Sequence, residues 1–300
     1  MRRRVAGLRF TVPLPMLPAH HYVPMARAAE ANGFDSVAVP DSVFFAETVT
    51  GDYPFTGDGV RWWQPDTPFL DPFVAIPAMA AVTERLRFLT NVVKLPLRSP
   101  LLVAKQVASI AALSEDRFRF GVGLSWMPEE FTWTGTEMRT RGARTDECIE
   151  IIRAVCAGGG PQWIEHHGKH YEFDRLMISP APAAPVRILV GGHSDVAMAR
   201  AARNDGWISA NCTTPELTEL LERLRGHLAE AGRADDPSYE VNALAVDAID
   251  ADAFRRLADL GVTDCQVVPW FYYGGDPTDL GVQVDSLSRF ADSVTAQLEA

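Results

Sequence analysis

Side chains that could do chemistry fall at the ends of several short apolar segments. Asp41 closes the segment Val37–Pro40, where a carboxylate could either form an Asx turn or contact a ligand. Lys94 emerges from another apolar segment, and Arg98 follows it within a few residues. These two cations either lie along the surface with their charges in water or bring positive charge to a binding site. These three residues therefore predict either the charged edge of a ligand site or a charged surface exposed to solvent.

A second candidate site is the turn Gly191-Gly192-His193-Ser194, which follows the apolar segment Val186–Val190 and precedes a helical pattern. Small residues at a helix N-terminus expose backbone N–H groups, the helix dipole is positive there, and the Ser194 hydroxyl adds a donor. This chemistry suits a phosphate group. The alternative is a tight turn between a strand and a helix, with Ser194 as an ordinary N-cap residue.

Two further motifs point to chemistry that their context does not support. The segment Gly121–Trp126 lacks the third glycine of the dinucleotide-binding fingerprint, although its glycines let a flat ligand approach the backbone closely. His166, His167 and His170 have a spacing that could bind zinc on a helix. The glycine among them and the residues that follow predict a hairpin instead. We therefore expect no metal site.

The composition excludes several classes of partner. The 300 residues include 28 Lys and Arg against 39 Asp and Glu, which gives a formal net charge of −11. A nucleic acid partner requires a basic surface that displaces counterions, so we expect none. No apolar run reaches the roughly 18 residues of a membrane span. The four cysteines are scattered without metal-binding spacing, which predicts reduced thiols and a cytoplasmic protein.

Short apolar segments alternate with longer helical patterns along the chain. Unbroken apolar segments are typical of strands that are buried on both faces of a parallel sheet. Asp71-Pro72, Ser99-Pro100 and Thr214-Pro215 combine an N-cap residue with proline in the first helical turn. Strict alternation of eight strands with about eight helices predicts an α/β fold, a single (β/α)8 TIM barrel that forms one domain over residues 1–300. The predicted strands are Leu8–Val12, Ser36–Val39, Leu86–Val93, Phe118–Leu124, Val186–Val190, Gly206–Ala210, Val241–Val246 and Cys265–Val268.

Two insertions interrupt the alternation, Phe44–Leu70 after the second strand and Pro161–Pro185 before the fifth. Because active sites of such barrels lie at the carboxyl ends of the strands, the first insertion belongs on that face. It contains seven aromatic residues, which either pack into a small core of their own or cover a pocket as a lid. The aromatic residues predicted to line a substrate pocket are Phe44, Trp62 and Trp63 of the insertion, with Trp270 and Tyr272 after the eighth strand.

Several of these segments resemble the bacterial luciferase-like monooxygenase superfamily. The similarity begins in Ala28–Val37 and is most specific over Asp71–Phe131, which includes the runs LPLRSP and GVG. It continues through Arg141–Glu147 and Gly191–Trp207, so it covers most of the chain. Within the superfamily the sequence is similar to the branch that uses the deazaflavin coenzyme F420.

The resemblance implies a flavin or deazaflavin at the carboxyl ends of the barrel strands, with its phosphate toward the fourth and fifth strands. By position, Asp41 would contact the ring system, and Asn91 and Val92 would form a bulge with a non-prolyl cis peptide bond behind the ring. Gly123 would lie beside the cofactor. The other residues expected to bind the cofactor are Lys94 for its charge, and Gly191, Gly192, His193 and Ser194 for the phosphate.

Two departures from the family pattern bear on the reaction. Several deazaflavin dehydrogenases have a histidine as proton donor after the aspartate of the second strand, where this chain has Ser42, a poor acid at neutral pH. The sugar-phosphate dehydrogenases have a glutamate where this chain has Leu124, which disfavours a glucose-6-phosphate type of dehydrogenase. Ser42 and His20 are the predicted catalytic residues, and His20, just after the first strand, is the expected proton donor, with water as its rival.

The residues and the resemblance together predict an oxidoreductase that transfers a hydride between F420 and a largely apolar small molecule. The cofactor would supply the reactive atom, and the protein would orient the cofactor and the substrate. One alternative is an FMN-dependent luciferase-like monooxygenase, which would be recognised by the reaction of reduced FMN with oxygen. A second alternative is a protein that binds flavin or deazaflavin without catalysis. The expected partner is the small-molecule substrate, and a homodimer is one option for the assembly.

Overall fold

Eight parallel strands form the centre of the computed structural model, which describes residues 8–298. Neighbouring strands pair in chain order, and the first strand pairs with the last, which closes the sheet into a barrel. The predicted (β/α)8 barrel is therefore confirmed. The strands are β1 Arg9–Pro13, β2 Ser36–Val39, β3 Arg87–Thr90 (resumed at Val93–Lys94), β4 Phe118–Gly123, β5 Ile188–Gly191, β6 Gly206–Ile208, β7 Glu240–Ala243 and β8 Asp264–Gln266.

Helices surround the barrel, and their N-terminal signals work mostly as the sequence predicts. The Asp71 side chain accepts the backbone N–H of Phe73 at 2.8 Å. The N-cap of the helix at Pro215 is Thr213 rather than Thr214, because Glu216 completes a capping box with it. The helices are α1 Tyr22–Ala31, α2 Pro72–Ala80, α3 Pro100–Leu113, α4 Pro128–Trp133, α5 Arg141–Val155, α6 Asp195–Ala202, α7 Thr214–Glu230, α8 Ala251–Asp259, α9 Leu280–Phe290 and α10 Ala296–Leu298.

The inside of the barrel holds charged side chains at its base, the end formed by the amino ends of the strands. Apolar and amide side chains lie closer to its mouth, the end formed by the carboxyl ends of the strands. At the base, the buried guanidinium of Arg119 pairs with Glu240 at 2.7 Å and with Asp264 at 3.0 Å. Buried charges are stable when paired in this way, and the cluster ties β4 to β7 and β8. The next layer is an apolar cluster that closes the barrel beneath its mouth, and its members are Ala38, Leu89, Leu189 and Ile208.

One glycine is required for the barrel to close between β3 and β4. A Cβ on Gly121 would lie 1.9 Å from the backbone oxygen of Thr90, which is far inside van der Waals contact. The same two residues are joined by side chain and backbone, since the Thr90 hydroxyl accepts the N–H of Gly121 at 2.8 Å. The two strands that carry the mouth residues are therefore held at a close and fixed spacing.

The two insertions differ in structure. Residues 40–71, which contain the first insertion, include neither helix nor strand. The second contains an antiparallel hairpin of Trp163–His167 and Glu172–Met177, as predicted. The Glu147 carboxylate on α5 accepts backbone N–H groups from the hairpin turn, which anchors this insertion to the body of the barrel.

Two further predictions can be compared with the structure. No helix within residues 8–298 is long and apolar enough to cross a membrane. Cys148, Cys156, Cys212 and Cys265 are all free and buried. Burial raises the pKa of the Cys148 and Cys212 thiols to about 11, so both stay protonated at neutral pH.

Candidate functional site

The floor of the barrel mouth is built around Val92. The peptide bond between Asn91 and Val92 is cis, as predicted, and it interrupts β3 before the strand resumes. A Cβ on Gly123 would lie 2.5 Å from a Val92 methyl group, and one on Gly191 would lie 3.0 Å from the other. Glycine at the ends of β4 and β5 thus makes room for Val92, which packs on the apolar cluster that closes the barrel.

Asp41 at the end of β2 is fixed by two partners from β3 and the turn after it. One carboxylate oxygen accepts the backbone N–H of Lys94 at 2.9 Å, and the other pairs with Arg98 at 2.8 Å. Arg98 also reaches Asp71 at 3.3 Å. The structure thus shows Asp41 in ion pairs rather than in an Asx turn. It also shows Arg98 paired with two carboxylates rather than free in water. The arrangement brings Asp41, Lys94 and the cis peptide bond to one side of the mouth.

The Lys94 ammonium is held by a residue that sequence reasoning missed. Glu130 on α4 is fully buried, and its two carboxylate oxygens pair with Lys94 and with the hydroxyl of Ser125. Ser125, just after β4, has a φ of 66°, an uncommon value for a residue with a side chain. The signal that could have found this pair is the short acidic helix after β4, since a buried glutamate requires a cationic partner.

The turn after β5 combines a glycine of positive φ with a helix cap. Gly192 has a φ of 126°, and Ser194 caps α6 by accepting the N–H of Ala197 at 3.3 Å. Arg223 of α7, a second residue that the sequence analysis missed, donates to the backbone oxygen of His193 at 3.0 Å and pairs with Asp195 at 2.8 Å. The helix N-terminus and Arg223 favour an anion there, and the Asp195 carboxylate opposes one.

Hydrogen bonding and burial both favour the neutral form of His193. Its Nε2 atom accepts the backbone N–H of Ala210 at 2.9 Å, so that nitrogen carries no proton. Burial, together with the nearby Arg223 guanidinium, lowers the pKa of His193 below 6.5. The ring therefore contributes shape and packing to this turn rather than positive charge.

The first insertion lies across the mouth from the α4 side to the turn after β5. Tyr53 contacts the rings of Phe55, Trp63 and Trp126 at centroid distances of 5.1–5.6 Å. Phe55 in turn lies 5.6 Å from the His193 ring. The hydroxyl and backbone N–H of Thr50 both donate to Glu129 on α4. The insertion thus forms a small aromatic cluster of its own and also contacts α4 and the turn after β5.

The remaining predicted pocket residues have different surroundings. Phe44 stacks on Trp133 of α4 with ring centroids 5.2 Å apart. Trp62 is 57% exposed, and its ring lies perpendicular to that of Trp63. Trp270 is buried in the main core. Tyr272 packs on the Phe290 ring, and burial raises the pKa of its hydroxyl to about 12. Trp270 and Tyr272 therefore both contribute to the packing of the main core, and Tyr272 contacts α9 through Phe290.

The two predicted catalytic residues lie at the same end of the barrel, on separate elements. His20 is exposed in the turn Ala19–His21 that leads into α1, and its ring contacts His21 at 4.4 Å. Ser42 is exposed to an intermediate degree beside Asp41. The neighbouring His21 is the buried member of the pair, and its Nδ1 atom lies 2.9 Å from the Gln283 amide oxygen. Within residues 8–298, the side chains of His20 and Ser42 form no hydrogen bond or ion pair with Asp41 or Lys94.

Comparison with known proteins identifies the family. The profile of the luciferase-like monooxygenase family matches residues 10–273, which is most of the barrel. An uncharacterized protein of Mycobacterium tuberculosis is 40% identical over 97% of this chain and 100% of its own length. The F420-dependent glucose-6-phosphate dehydrogenase of Nakamurella multipartita is 29% identical over 78% of this chain and 65% of that protein. The chain belongs to the luciferase-like monooxygenase family.

Two solved structures have the same fold and different cofactors. The coenzyme F420 dependent tetrahydromethanopterin reductase of Methanopyrus kandleri has a TM-score of 0.73 with 14% identity, over 98% of this chain and 100% of that one. The type II Baeyer–Villiger monooxygenase of Pseudomonas putida, solved with FMN, has a TM-score of 0.61 with 17% identity, over 79% of this chain and 66% of that one. At these identities the comparison establishes the fold, and relatives of this fold include both F420 and FMN proteins.

Proposed function

We propose that this protein is an F420-dependent oxidoreductase that transfers a hydride between the deazaflavin and a largely apolar small molecule. The observation that carries the proposal is the mouth of the barrel. There the glycines at 123 and 191 lie against Val92, and the ion-paired Asp41 accepts the backbone N–H of Lys94, two residues further along the chain from Val92. A flat ring needs backbone at close range on one face and fixed polar atoms at its edge, and this opening offers both.

The residues present fit such a cofactor. A side chain at Gly123 or Gly191 would displace Val92, so the two glycines keep Val92 in the position where it would support the ring. The N-terminus of α6, with Ser194 and Arg223, would hold the phosphate. Asp41 would face the ring, since each carboxylate oxygen keeps an acceptor site beyond its bond to Arg98 or Lys94. When bound, the deazaflavin supplies a reactive carbon that gives or takes a hydride.

The chain's own part in the reaction is orientation, exclusion of water and proton supply. Tyr53 and Trp63, with Phe55, would cover the mouth and give the substrate apolar surroundings. His20 is the proposed proton donor, and its exposure lets it exchange protons with solvent. Lys94 would hold positive charge near the ring, because Glu130 keeps the ammonium in place.

An FMN-dependent monooxygenase is the second candidate function. The observation that favours it is the shared fold with the Pseudomonas putida monooxygenase that was solved with FMN. A cofactor-binding protein without catalysis is the third, and the lack of a histidine at Ser42 supports it. Whichever of the three functions holds, we propose that the protein is cytoplasmic, because its four cysteines are free and buried. A homodimer is one option for its assembly.

The test is a titration of the purified apo-protein with F420 and with FMN. The change in cofactor fluorescence at equilibrium gives the dissociation constant of each. Tighter binding of F420, with slow reoxidation of the reduced complex in air, is the result expected. Tighter binding of FMN with rapid oxygen consumption would replace the proposal with the monooxygenase. Binding without turnover across a panel of carbonyl compounds, alcohols and activated alkenes would support the third candidate.

A further inference from the structure

A chain of three side-chain amides crosses the inside of the barrel just below the mouth. The Gln266 amide nitrogen on β8 donates to the Asn242 oxygen on β7 at 2.5 Å. The Asn91 amide nitrogen donates to the Gln266 oxygen at 2.8 Å. Asn242 is fully buried and Gln266 is 3% exposed, whereas Asn91 is half-buried at the cis peptide bond. Asn91 is thus the end of the chain that reaches the mouth.

The inner end of this chain is incompletely bonded. The Asn242 amide nitrogen has no hydrogen-bond partner among residues 8–298, although the side chain is fully buried. Buried N–H groups without a partner are rare and cost more than unpaired carbonyl groups. The observed direction of the chain therefore places its least favourable group at the sealed end, and it leaves the Asn91 oxygen free at the mouth.

The opposite direction of the chain is equally well bonded. If all three amides rotate by half a turn, both bonds between them are kept, since each amide is donor and acceptor at once. The buried end then presents a carbonyl group, and Asn91 presents its N–H2 group to the mouth. The chain therefore has two states, one with an acceptor and one with a donor at the mouth, and no bond within the chain is lost between them.

We propose that this chain reverses with the redox state of the bound ring and keeps one hydrogen bond from Asn91 to the ring in both states. The inference rests on the proposed function. Oxidised flavins and deazaflavins present ring nitrogens as acceptors, and reduction adds an N–H donor. Asn91 would donate to the oxidised ring and accept from the reduced one. Gln266 and Asn242 are positioning residues, because they act through Asn91.

The test compares the affinities for oxidised and reduced ring in variants that lock the chain. In Asn242→Asp, titrated above the pKa of the new carboxyl group, the carboxylate can only accept. Gln266 must then donate to it, and the Asn91 oxygen must face the mouth. Gln266→Glu locks the same direction and serves if the first variant does not fold. We expect each variant to favour binding of the reduced ring over the oxidised ring by about tenfold, because the oxidised ring loses one hydrogen bond. For a two-electron couple this equals a rise of about 30 mV in midpoint potential.

The controls separate the chain from general effects of a buried change. Asn204→Asp alters another buried asparagine at the opposite end of the barrel, where its amide binds Arg153 and a backbone oxygen, and should leave the ratio unchanged. Adding Gln266→Met to Asn242→Asp should abolish the shift, because the link to Asn91 is broken. Circular dichroism melts confirm that each variant is folded.

The probes are F420 and FMN, each oxidised and chemically reduced, titrated without oxygen. If the wild-type protein binds the ring and the ratio of dissociation constants is unchanged in both locking variants, the proposed reversal of the amide chain is wrong. The proposed function is then unaffected. A shift that persists in the double variant also overturns it, since the effect would not pass through Gln266. Failure of the wild-type protein to bind either ring overturns both proposals.

Discussion

Replacement of Glu130 tests how the charged side of the mouth is held together. Glu130 is fully buried and accepts from Lys94 and Ser125, and the Lys94 side chain is 14% exposed. In Glu130→Gln the shape is kept and the acceptor becomes neutral. A hydrogen bond to a charged group contributes about 1.5–3 kcal/mol and a neutral one about 1 kcal/mol. With two bonds affected, we expect the free energy of unfolding to fall by about 2–3 kcal/mol.

Removal of the whole side chain should be more costly. In Glu130→Ala the Lys94 ammonium is left without its anion, and breaking a buried pair in this way costs about 3–5 kcal/mol. The small exposure of Lys94 places the expected loss near the lower value, because water can reach the ammonium in part. In Lys94→Met/Glu130→Ala both charges are gone, so we expect part of the stability to return.

The assay is equilibrium unfolding in urea, followed by tryptophan fluorescence and circular dichroism. The matched control is Glu129→Gln on the same helix, whose carboxylate accepts from Thr50 at the surface of α4. Surface interactions of this kind contribute below about 1 kcal/mol. A loss of less than 1 kcal/mol in Glu130→Ala, or equal losses at the two glutamates, would refute the view that Glu130 holds the mouth residues in place.

Four further outcomes are expected. Ser194→Asp should weaken cofactor binding about tenfold or more in a folded protein, because it adds negative charge at the proposed phosphate site and still caps α6. His20→Gln should lower kcat about 100-fold with little change in cofactor affinity. Proteolytic nicking within 45–69 should reduce turnover, since the aromatic cover is cut. The free energy of unfolding should fall as pH drops below 6.5, because the pKa of His193 is lower in the folded protein than in the unfolded chain, which therefore binds the proton more tightly. His193→Gln should reduce this loss.

Each of these outcomes has a measurement that contradicts it. Ser194→Asn keeps the cap without the charge, so equal affinities in the two Ser194 variants would remove the phosphate site from this turn. Full turnover of His20→Gln from pH 6 to 9 would leave water as the proton donor. Unchanged turnover after the nick would exclude the cover. Identical stability changes between pH 7 and 5 in wild type and His193→Gln would show that His193 does not titrate there.

The fold could be predicted from the sequence because its signals are local. Apolar runs such as that ending at Val190 need burial on both faces, and Asp71-Pro72 starts a helix through its own side chain and ring. Repetition of the two patterns leaves few arrangements other than a closed barrel. The hairpin around Gly168 follows from an equally short stretch of chain.

The positions of the mouth residues were partly predictable, because barrel strands place their carboxyl ends at one edge. The sequence indicated Asp41, Lys94 and the turn at Ser194 as candidates. The cis peptide bond at Val92 came from family resemblance rather than from any local signal. Trp270 and Tyr272 were assigned to a pocket on residue type, and only the tertiary structure shows that both also pack on the main core.

The sequence by itself determined the barrel, the strand ends that carry polar groups and the aromatic character of the first insertion. Tertiary structure decided which of those groups meet. Glu130 pairs with Lys94 across 36 positions of sequence, and Gln266 meets Asn91 across 175. Periodicity describes which face of one element a residue occupies, whereas these contacts depend on the spacing and register of strands that the closed barrel fixes. Ionisation and hydrogen-bond direction at the mouth follow from those contacts, so they belong to the assembled fold.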